Sequence, residues 1–546
     1  MPSQHMPNSE TITTGADLIA RGLAQAGIRH AFGIPGGEVL ALVEAFSAAG
    51  IEPVLVKHEN AAGFMAEGVW HATGAPGLFY ATLGPGVANA ANVVANALQD
   101  RVPLIFVTGC VDAAEAESYT HQVFDHQALL RPIVKASFRA TAETAALVVE
   151  KALAIALSGR PGPVHIDVPI GVAEGPAKAS ARVPAPLPLP VRPAEGPGLE
   201  AARGALANAE RPLIIVGLDV VNQGAADVVA DFARDRDIPV ITTYKAKGVL
   251  PESDPLSLGG AGLSPKADKV LLPLVKAADM IVLAGYDPIE MRLNWRDPFS
   301  PGTQIIDIVA EAMPHGVHRS DHLIVGDIAA SLSGLSVAPA KAHVWPGGEP
   351  TVAREALRDA FKASAAWGPD VVFETVRAAT PADTVITIDS GAHRILLSQI
   401  WQTDIPHAIL QSTGLCTMGC AVPLALGYKL ASPATPVVAF VGDAGLEMGL
   451  GELATARELG LPVVIVVLVD ESLALIEMKQ RSSQRPNAAV DFSGSDFPAV
   501  AQALGGVGRW VDDAGTLERE VEAALSRAAF TVLACRIARR AYDGKI

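Results

Sequence analysis

Val437-Val438-Ala439-Phe440-Val441-Gly442-Asp443-Ala444-Gly445, a helical stretch over 446–460, and Val463-Val464-Ile465-Val466-Val467-Leu468-Val469-Asp470-Glu471-Ser472 together decide the fold of this 546-residue chain. Both apolar runs have the length and β-branched content of buried parallel strands. Each ends in a carboxylate, Asp443 or Asp470, and one helix and one strand fill the distance between the two. Ligands of open α/β sheets lie outside the carboxyl ends of the strands, so both acids are expected to face one crevice. The helix, with Leu446, Leu450 and Leu453 as its buried stripe, points its N-terminus there too. A helix N-terminus binds phosphate, and two carboxylates can hold a Mg2+ that bridges to it.

The same alternation runs along the whole chain. Val54-Leu55-Val56, Leu78-Phe79-Tyr80, Leu104-Ile105-Phe106-Val107 and Val164-His165-Ile166-Asp167 read as strands, as do Leu213-Ile214-Ile215-Val216, Met280-Ile281-Val282-Leu283 and Val385-Ile386-Thr387-Ile388. Thr14 with Asp17 reads as a helix N-cap. The expected class is α/β, with three doubly wound parallel-sheet domains. Proline-rich stretches at 176–198 and 337–364 read as linkers, leaving domains at 11–175, 199–336 and 365–546. The polar residues 1–10 stand outside these domains.

Half the residues are apolar and 18% are charged, enough for large cores. A formal charge of −16 argues against nucleic acid or an anionic membrane as partner. Four scattered cysteines form no disulfide framework; buried thiols and a cytoplasmic location are expected. No apolar run reaches the ~18 residues of a membrane span, and no secretory signal pattern opens the chain.

His58-Glu59 follows a strand and opens the helical run Asn60-Ala61-Ala62-Gly63-Phe64-Met65-Ala66. An acid at such a position is commonly a solvated group favoured by the helix dipole. The stretch, however, resembles the His-Glu-x-x-Ala-x-x-Met-Ala element in the pyrimidine-binding domain of thiamine diphosphate enzymes, and Leu83-Gly84-Pro85-Gly86-Val87-Ala88-Asn89 resembles its downstream partner. The 437–472 block is similar to that family's diphosphate motif, Gly-Asp-Gly then Asn-Asn, with Ala444 in place of the third Gly and Asp470-Glu471 in place of the Asn pair. The resemblance covers nearly the whole chain. It implies a pyrimidine-binding, a middle and a diphosphate-binding domain, in that order.

The resemblance also implies roles. Glu59 is the carboxyl that hydrogen-bonds N1′ of the aminopyrimidine, so that the cofactor's own N4′ acts as base. Gly84 and Asn89 lie beside it. Met418, within Gly414-Leu415-Cys416-Thr417-Met418-Gly419, is the wedge that folds the cofactor; packing before a helix would serve a methionine equally well. Ser390-Gly391-Ala392-His393, with Gly414, Gly442, Ala444 and Gly445, hold the diphosphate. Asp443, Asp470 and the Ser472 carbonyl ligate Mg2+. Glu59 comes from one subunit and the Mg2+ site from another, so a homodimer or homotetramer is expected.

Several stretches resemble flavin-free acetolactate synthase: Gly33-Ile34-Pro35-Gly36, Thr120-His121-Gln122, Thr243-Tyr244-Lys245-Ala246 and Val490-Asp491-Phe492. Tyr286-Asp287-Pro288 stands where flavin-carrying relatives have Gly-Ala-Arg-Phe-Asp-Asp-Arg, so no FAD is expected. The implied reaction is decarboxylation of a small 2-keto acid such as pyruvate, with carboligation to a second carbonyl. Gln122 (also catalytic), Lys479 and Gln480 are the implied substrate residues. Three departures favour an alternative, a non-ligating 2-keto acid decarboxylase: Glu38 in place of a Lys, the unusual stretch 473–480, and little sequence after the last strand to shut out water. A third reading is a homologue that binds the cofactor without turnover.

Overall fold

A computed structural model describes residues 13–178, 189–337, 339–341 and 344–546. The polar start and residues 179–188 of the first proline-rich stretch lie outside them. The chain forms two compact units, Met1–Pro186 and Leu187–Ile546. The first is built on one six-stranded sheet and the second on two, and every strand pair in all three is parallel.

In the first unit the strands are β1 (His30–Ile34), β2 (Glu52–Leu55), β3 (Gly77–Ala81), β4 (Leu104–Cys110), β5 (Ala136–Arg139) and β6 (Val164–Pro169), in the order β2-β1-β3-β4-β6-β5. The strand order reverses between β1 and β3, which opens a crevice beyond their carboxyl ends. The N-cap expected at Thr14 is present as a full capping box with Asp17.

In the second unit one sheet holds β7 (Pro212–Val216), β8 (Val240–Thr243), β9 (Ser257–Ala261), β10 (Met280–Ala284), β11 (Gln304–Val309) and β12 (His322–Val325), ordered β12-β11-β10-β7-β8-β9. The other holds β13 (Val385–Ile388), β14 (Ile409–Gln411), β15 (Val437–Gly442), β16 (Val464–Val469), β17 (Val507–Val511) and β18 (Thr531–Arg536), ordered β14-β13-β15-β16-β18-β17. Its reversal lies between β13 and β15. The apolar run of β16 is buried at every position, as a strand covered on both faces requires.

Three local expectations are corrected. The stretch 446–460 is two helices, Asp443–Met448 and Glu452–Glu458, interrupted where Gly449 and Gly451 remove helix propensity. The stretch 337–364 contains the helix Glu349–Ala360, with Pro350 in its first turn, where the missing N–H costs nothing. Ala353 of that helix packs into the core of the β7–β12 sheet, and the nearby Trp345 donates its indole N–H to the Pro212 carbonyl at 2.6 Å. Cys110, Cys420 and Cys535 are buried as expected, but Cys416 is exposed.

A buried lysine ties the two sheets of the second unit. Lys247, 1% exposed, donates to the Ser398 and Trp401 carbonyls, each at 2.7 Å, and pairs with Glu252 at 3.1 Å. Glu252 in turn accepts the Thr403 N–H at 2.8 Å. Removing one member of a buried pair leaves the other charge uncompensated. Lys247→Met is therefore expected to cost about 3–5 kcal/mol of stability, read as a lower urea midpoint, with Lys247→Met/Glu252→Gln recovering part of the loss.

Candidate active site

The carboxyl ends of β13, β15 and β16 converge on a cavity of about 630 Å3 in the second unit. Asp443 begins the short helix after β15, and Asp470 follows β16. Asp443 Oδ2 accepts the Asp470 and Glu471 N–H groups at 3.1 and 2.7 Å, and its Oδ1 accepts the Ala444 N–H at 2.9 Å. Burial pushes the Asp443 carboxyl up, against those amide donors. Burial, and then the neighbouring Asp443 charge, push Asp470 up to about 7. Asp470 Oδ2 is buried with no hydrogen-bond partner among the described residues. Two desolvated carboxylates side by side, one with an unused oxygen, form a donor set suited to a hard divalent cation.

Across the cavity, Ser390, Gly391, Ala392 and His393 lead from β13 into the helix Ala392–Ile400. The Ser390 hydroxyl and His393 Nε2 are likewise buried and unpartnered among the described residues. Burial, with the Arg394 charge adding to it, brings the His393 ring down to about 3 and keeps it neutral. At Gly445 an added Cβ would lie 2.0 Å from Asp389 Oδ2, so only glycine lets the backbone pass. Unused polar atoms, bare glycine backbone and paired acids fit a metal-bound diphosphate.

Met418 and Lys479 line the same cavity, as do Gly442, Ala444, Gly445 and Ser472. Ser472 donates its hydroxyl to Asp491 at 2.8 Å. Gly414 and Gln480 are not among the lining residues; the Gln480 side chain instead donates to the Ala488 carbonyl at 2.9 Å. The last residues of the chain also reach the cavity, through buried Tyr542 and through Ile546. Apolar closure is thus greater than the short sequence after the last strand suggested.

Three further residues escaped the sequence reading. Asp389, at the tip of β13, accepts the Gly419 and Cys420 N–H groups at 2.9 and 3.1 Å and so fixes the loop that carries Met418. It obeys the strand-tip rule that singled out Asp443 and Asp470, so that rule could have found it. Arg394, buried beside His393, donates to the Ser412 carbonyl and to Cys416 Sγ, bracing the same loop from its other side. Tyr542 carried no local signal.

In the first unit, Glu59 is 6% exposed at the start of the helix Glu59–Thr73, and its Oε2 accepts the Asn89 amide at 2.9 Å. Asn89 lies on the helix Pro85–Gln99, which Gly84 caps with φ 66°. A Cβ on Gly84 would meet the Gln122 carbonyl at 2.0 Å, and Gln122 itself has φ 60° and is exposed. Glu38, at the β1 side of the crevice, accepts the Thr82 hydroxyl from the β3 side at 2.5 Å.

Comparison with known families agrees with this architecture. The thiamine pyrophosphate enzyme N-terminal TPP binding domain matches residues 13–129, the central domain 199–335 and the C-terminal TPP binding domain 389–535. The chain belongs to the thiamine pyrophosphate enzyme family and is a thiamine diphosphate-dependent enzyme. Within that family it is acetolactate synthase-like. It is 32% identical over 473 residues to acetolactate synthase isozyme 1 large subunit of Escherichia coli (strain K12), covering 86% of this chain and 83% of that one. It is 30% identical over 535 residues to the isozyme 3 large subunit of the same organism, covering 94% and 92%. It is 28% identical over 508 residues to acetolactate synthase of Bacillus subtilis (strain 168), covering 91% and 88%. Among the described residues no helix is long and apolar enough to cross a membrane.

Proposed function

We propose that the chain decarboxylates a pyruvate-like 2-keto acid and joins the remaining fragment to a second carbonyl, using Mg2+ with thiamine diphosphate and no FAD. The observation that carries this reading is the pair Asp443 and Asp470, buried side by side at the tips of β15 and β16 with one Asp470 carboxylate oxygen unused among the described residues. Asp443, Asp470 and the Ser472 carbonyl would hold the metal. Ser390, Gly391, Ala392, His393, Gly442, Ala444 and Gly445 would receive the diphosphate, with Gly414 in the loop that carries Met418. When bound, the cofactor supplies the electron sink that stabilises the charge left by departing CO2.

The protein's own part is to bind, orient and exclude water. Glu59, itself buried, would present its carboxyl to the pyrimidine ring, with Asn89 hydrogen-bonded to it and Gly84 opening the helix that carries Asn89. Met418 sets the bend of the ligand. Lys479 is a cation at the cavity for a substrate carboxylate, and Gln122 and Gln480 complete the proposed substrate set. Glu59 would act from one copy and Asp443 with Asp470 from another, in a cytoplasmic homodimer or homotetramer.

Leu473, Ile476, Met478, Tyr542 and Ile546 give the cavity apolar walls. Excluding water disfavours protonation of the reacting fragment, which favours carboligation over the simple decarboxylase reading. With pyruvate, thiamine diphosphate and Mg2+, the expected products are acetolactate and CO2, identified by chromatography. Acetaldehyde and CO2 without acetolactate would establish the decarboxylase instead. Bound cofactor with no turnover on any keto acid would leave only a binding role.

A further inference from the structure

A second set of buried polar groups lies in the first unit, and the proposed chemistry does not use it. His126, Asp167, Thr108 and His165 are all 4% exposed or less. His126 Nδ1 lies 2.9 Å from Asp167 Oδ1, and its Nε2 lies 3.0 Å from the Gly84 nitrogen. Thr108 Oγ1 lies 2.5 Å from the same Asp167 oxygen and 2.8 Å from His165 Nε2. His165 Nδ1 lies 2.8 Å from the Ser137 hydroxyl, which accepts the Gln127 amide at 3.2 Å.

Donor and acceptor counts fix where the protons sit. The Gly84 N–H can only donate, so His126 Nε2 carries no proton. The ring is then neutral, its single proton is on Nδ1, and that proton goes to Asp167. The Thr108 hydroxyl gives its one proton to the carboxylate, so His165 must donate to it from Nε2. Burial alone would raise the Asp167 carboxyl, but the His126 hydrogen bond and the His165 N–H, which is shared between Thr108 and Asp167 Oδ1 at 3.4 Å, outweigh it and hold the group low. Asp167 is therefore an anion on which two histidine arms converge, and one arm ends on the Gly84 amide.

That amide sits where the backbone turns toward Glu59. Gly84 has a left-handed φ, and it begins the turn into the helix Pro85–Gln99. One turn on, Asn89 donates to Glu59. On its other side Gly84 is packed against the Gln122 carbonyl. Without an acceptor at His126 the buried Gly84 N–H would be left unpaired, and the turn would shift to satisfy it.

We infer that His126 is a positioning residue: its neutral, Nδ1-protonated ring anchors the Gly84 amide to Asp167 and thereby sets the Asn89–Glu59 contact. This rests on the proposed role of Glu59.

The test uses the full chain and two variants. Without cofactor, 15N-histidine NMR should show one ring with a protected Nδ1–H and a bare Nε2, a signal lost in His126→Gln. An Nε2–H tautomer or a charged ring at His126 at neutral pH would overturn the inference. With thiamine diphosphate and Mg2+, His126→Ala should slow exchange of the cofactor's C2 proton by about 100-fold with little change in pyruvate KM. His126→Gln, whose Oε1 reaches the place of Nε2, should restore the rate to within about threefold of wild type, as positioning rather than ring chemistry predicts. An unimpaired His126→Ala, or a His126→Gln as slow as His126→Ala, refutes it. Glu59→Gln run alongside separates the two readings: wild-type exchange there removes Glu59, while the tautomer and rescue measurements still judge His126.

Discussion

Glu59→Gln is expected to bind thiamine diphosphate and Mg2+ normally while release of the cofactor's C2 proton slows by about 10²–10⁴-fold. The substitution preserves the volume of a side chain that is 6% exposed and touches the Asn89 amide through one oxygen. What it removes is the exchangeable carboxyl proton on which the proposed role of Glu59 depends, since an amide can point an N–H at the ring nitrogen but cannot pass a proton to it. The acids proposed to hold the metal, Asp443 and Asp470, belong to the second unit, so retention should not suffer. Deuterium exchange at C2, followed by acid quench and proton NMR, reads the rate directly. Exchange at the wild-type rate would take Glu59 out of the proposed mechanism.

Asp443→Ala should abolish metal-dependent retention of the cofactor, a loss visible as free thiamine diphosphate after gel filtration in Mg2+. The change removes a carboxylate and also strips the Asp470 and Glu471 amides of their acceptor. It relieves the charge that helps to raise Asp470, which makes that remaining acid easier to ionise. An effect carried by Asp470 ionisation alone would therefore strengthen metal binding. Loss of retention thus points to Asp443 as a ligand, and unchanged retention contradicts the assignment. Asp443→Asn, which keeps one carbonyl oxygen, should fall between the two.

The contrast between these acids and the rest of the site explains how much was legible in the chain alone. Asp443, Asp470 and the strands leading to them are legible because β-branched runs such as 463–469 have only one comfortable setting, a strand covered on both faces. Glu59 was legible from its place after a strand and before a helix, joined to a family pattern. The break at Gly449–Gly451 was hidden by leucines at helical spacing, of which Leu446 and Leu453 are core residues on either side of it while Leu450 lies half-buried within it. The helix Glu349–Ala360 was hidden by its own proline, a residue that opens helices as readily as it ends them. Tyr542, Arg394 and the His126–Asp167 network depend on long-range approach, for which spacing along the chain gives no cue. Gln480, beside Lys479 in sequence, turns to a different neighbour because adjacent helical positions point about 100° apart.

Positions 444 and 445 carry opposite lessons for anyone wishing to redesign this pocket. Gly445 is sealed by Asp389, itself gripped by two backbone amides, so a mutant library spread over that codon would yield mostly dead clones. Its neighbour already bears a methyl group that borders open space, and diversity placed there would be sampled by the bound ligand rather than absorbed by the scaffold.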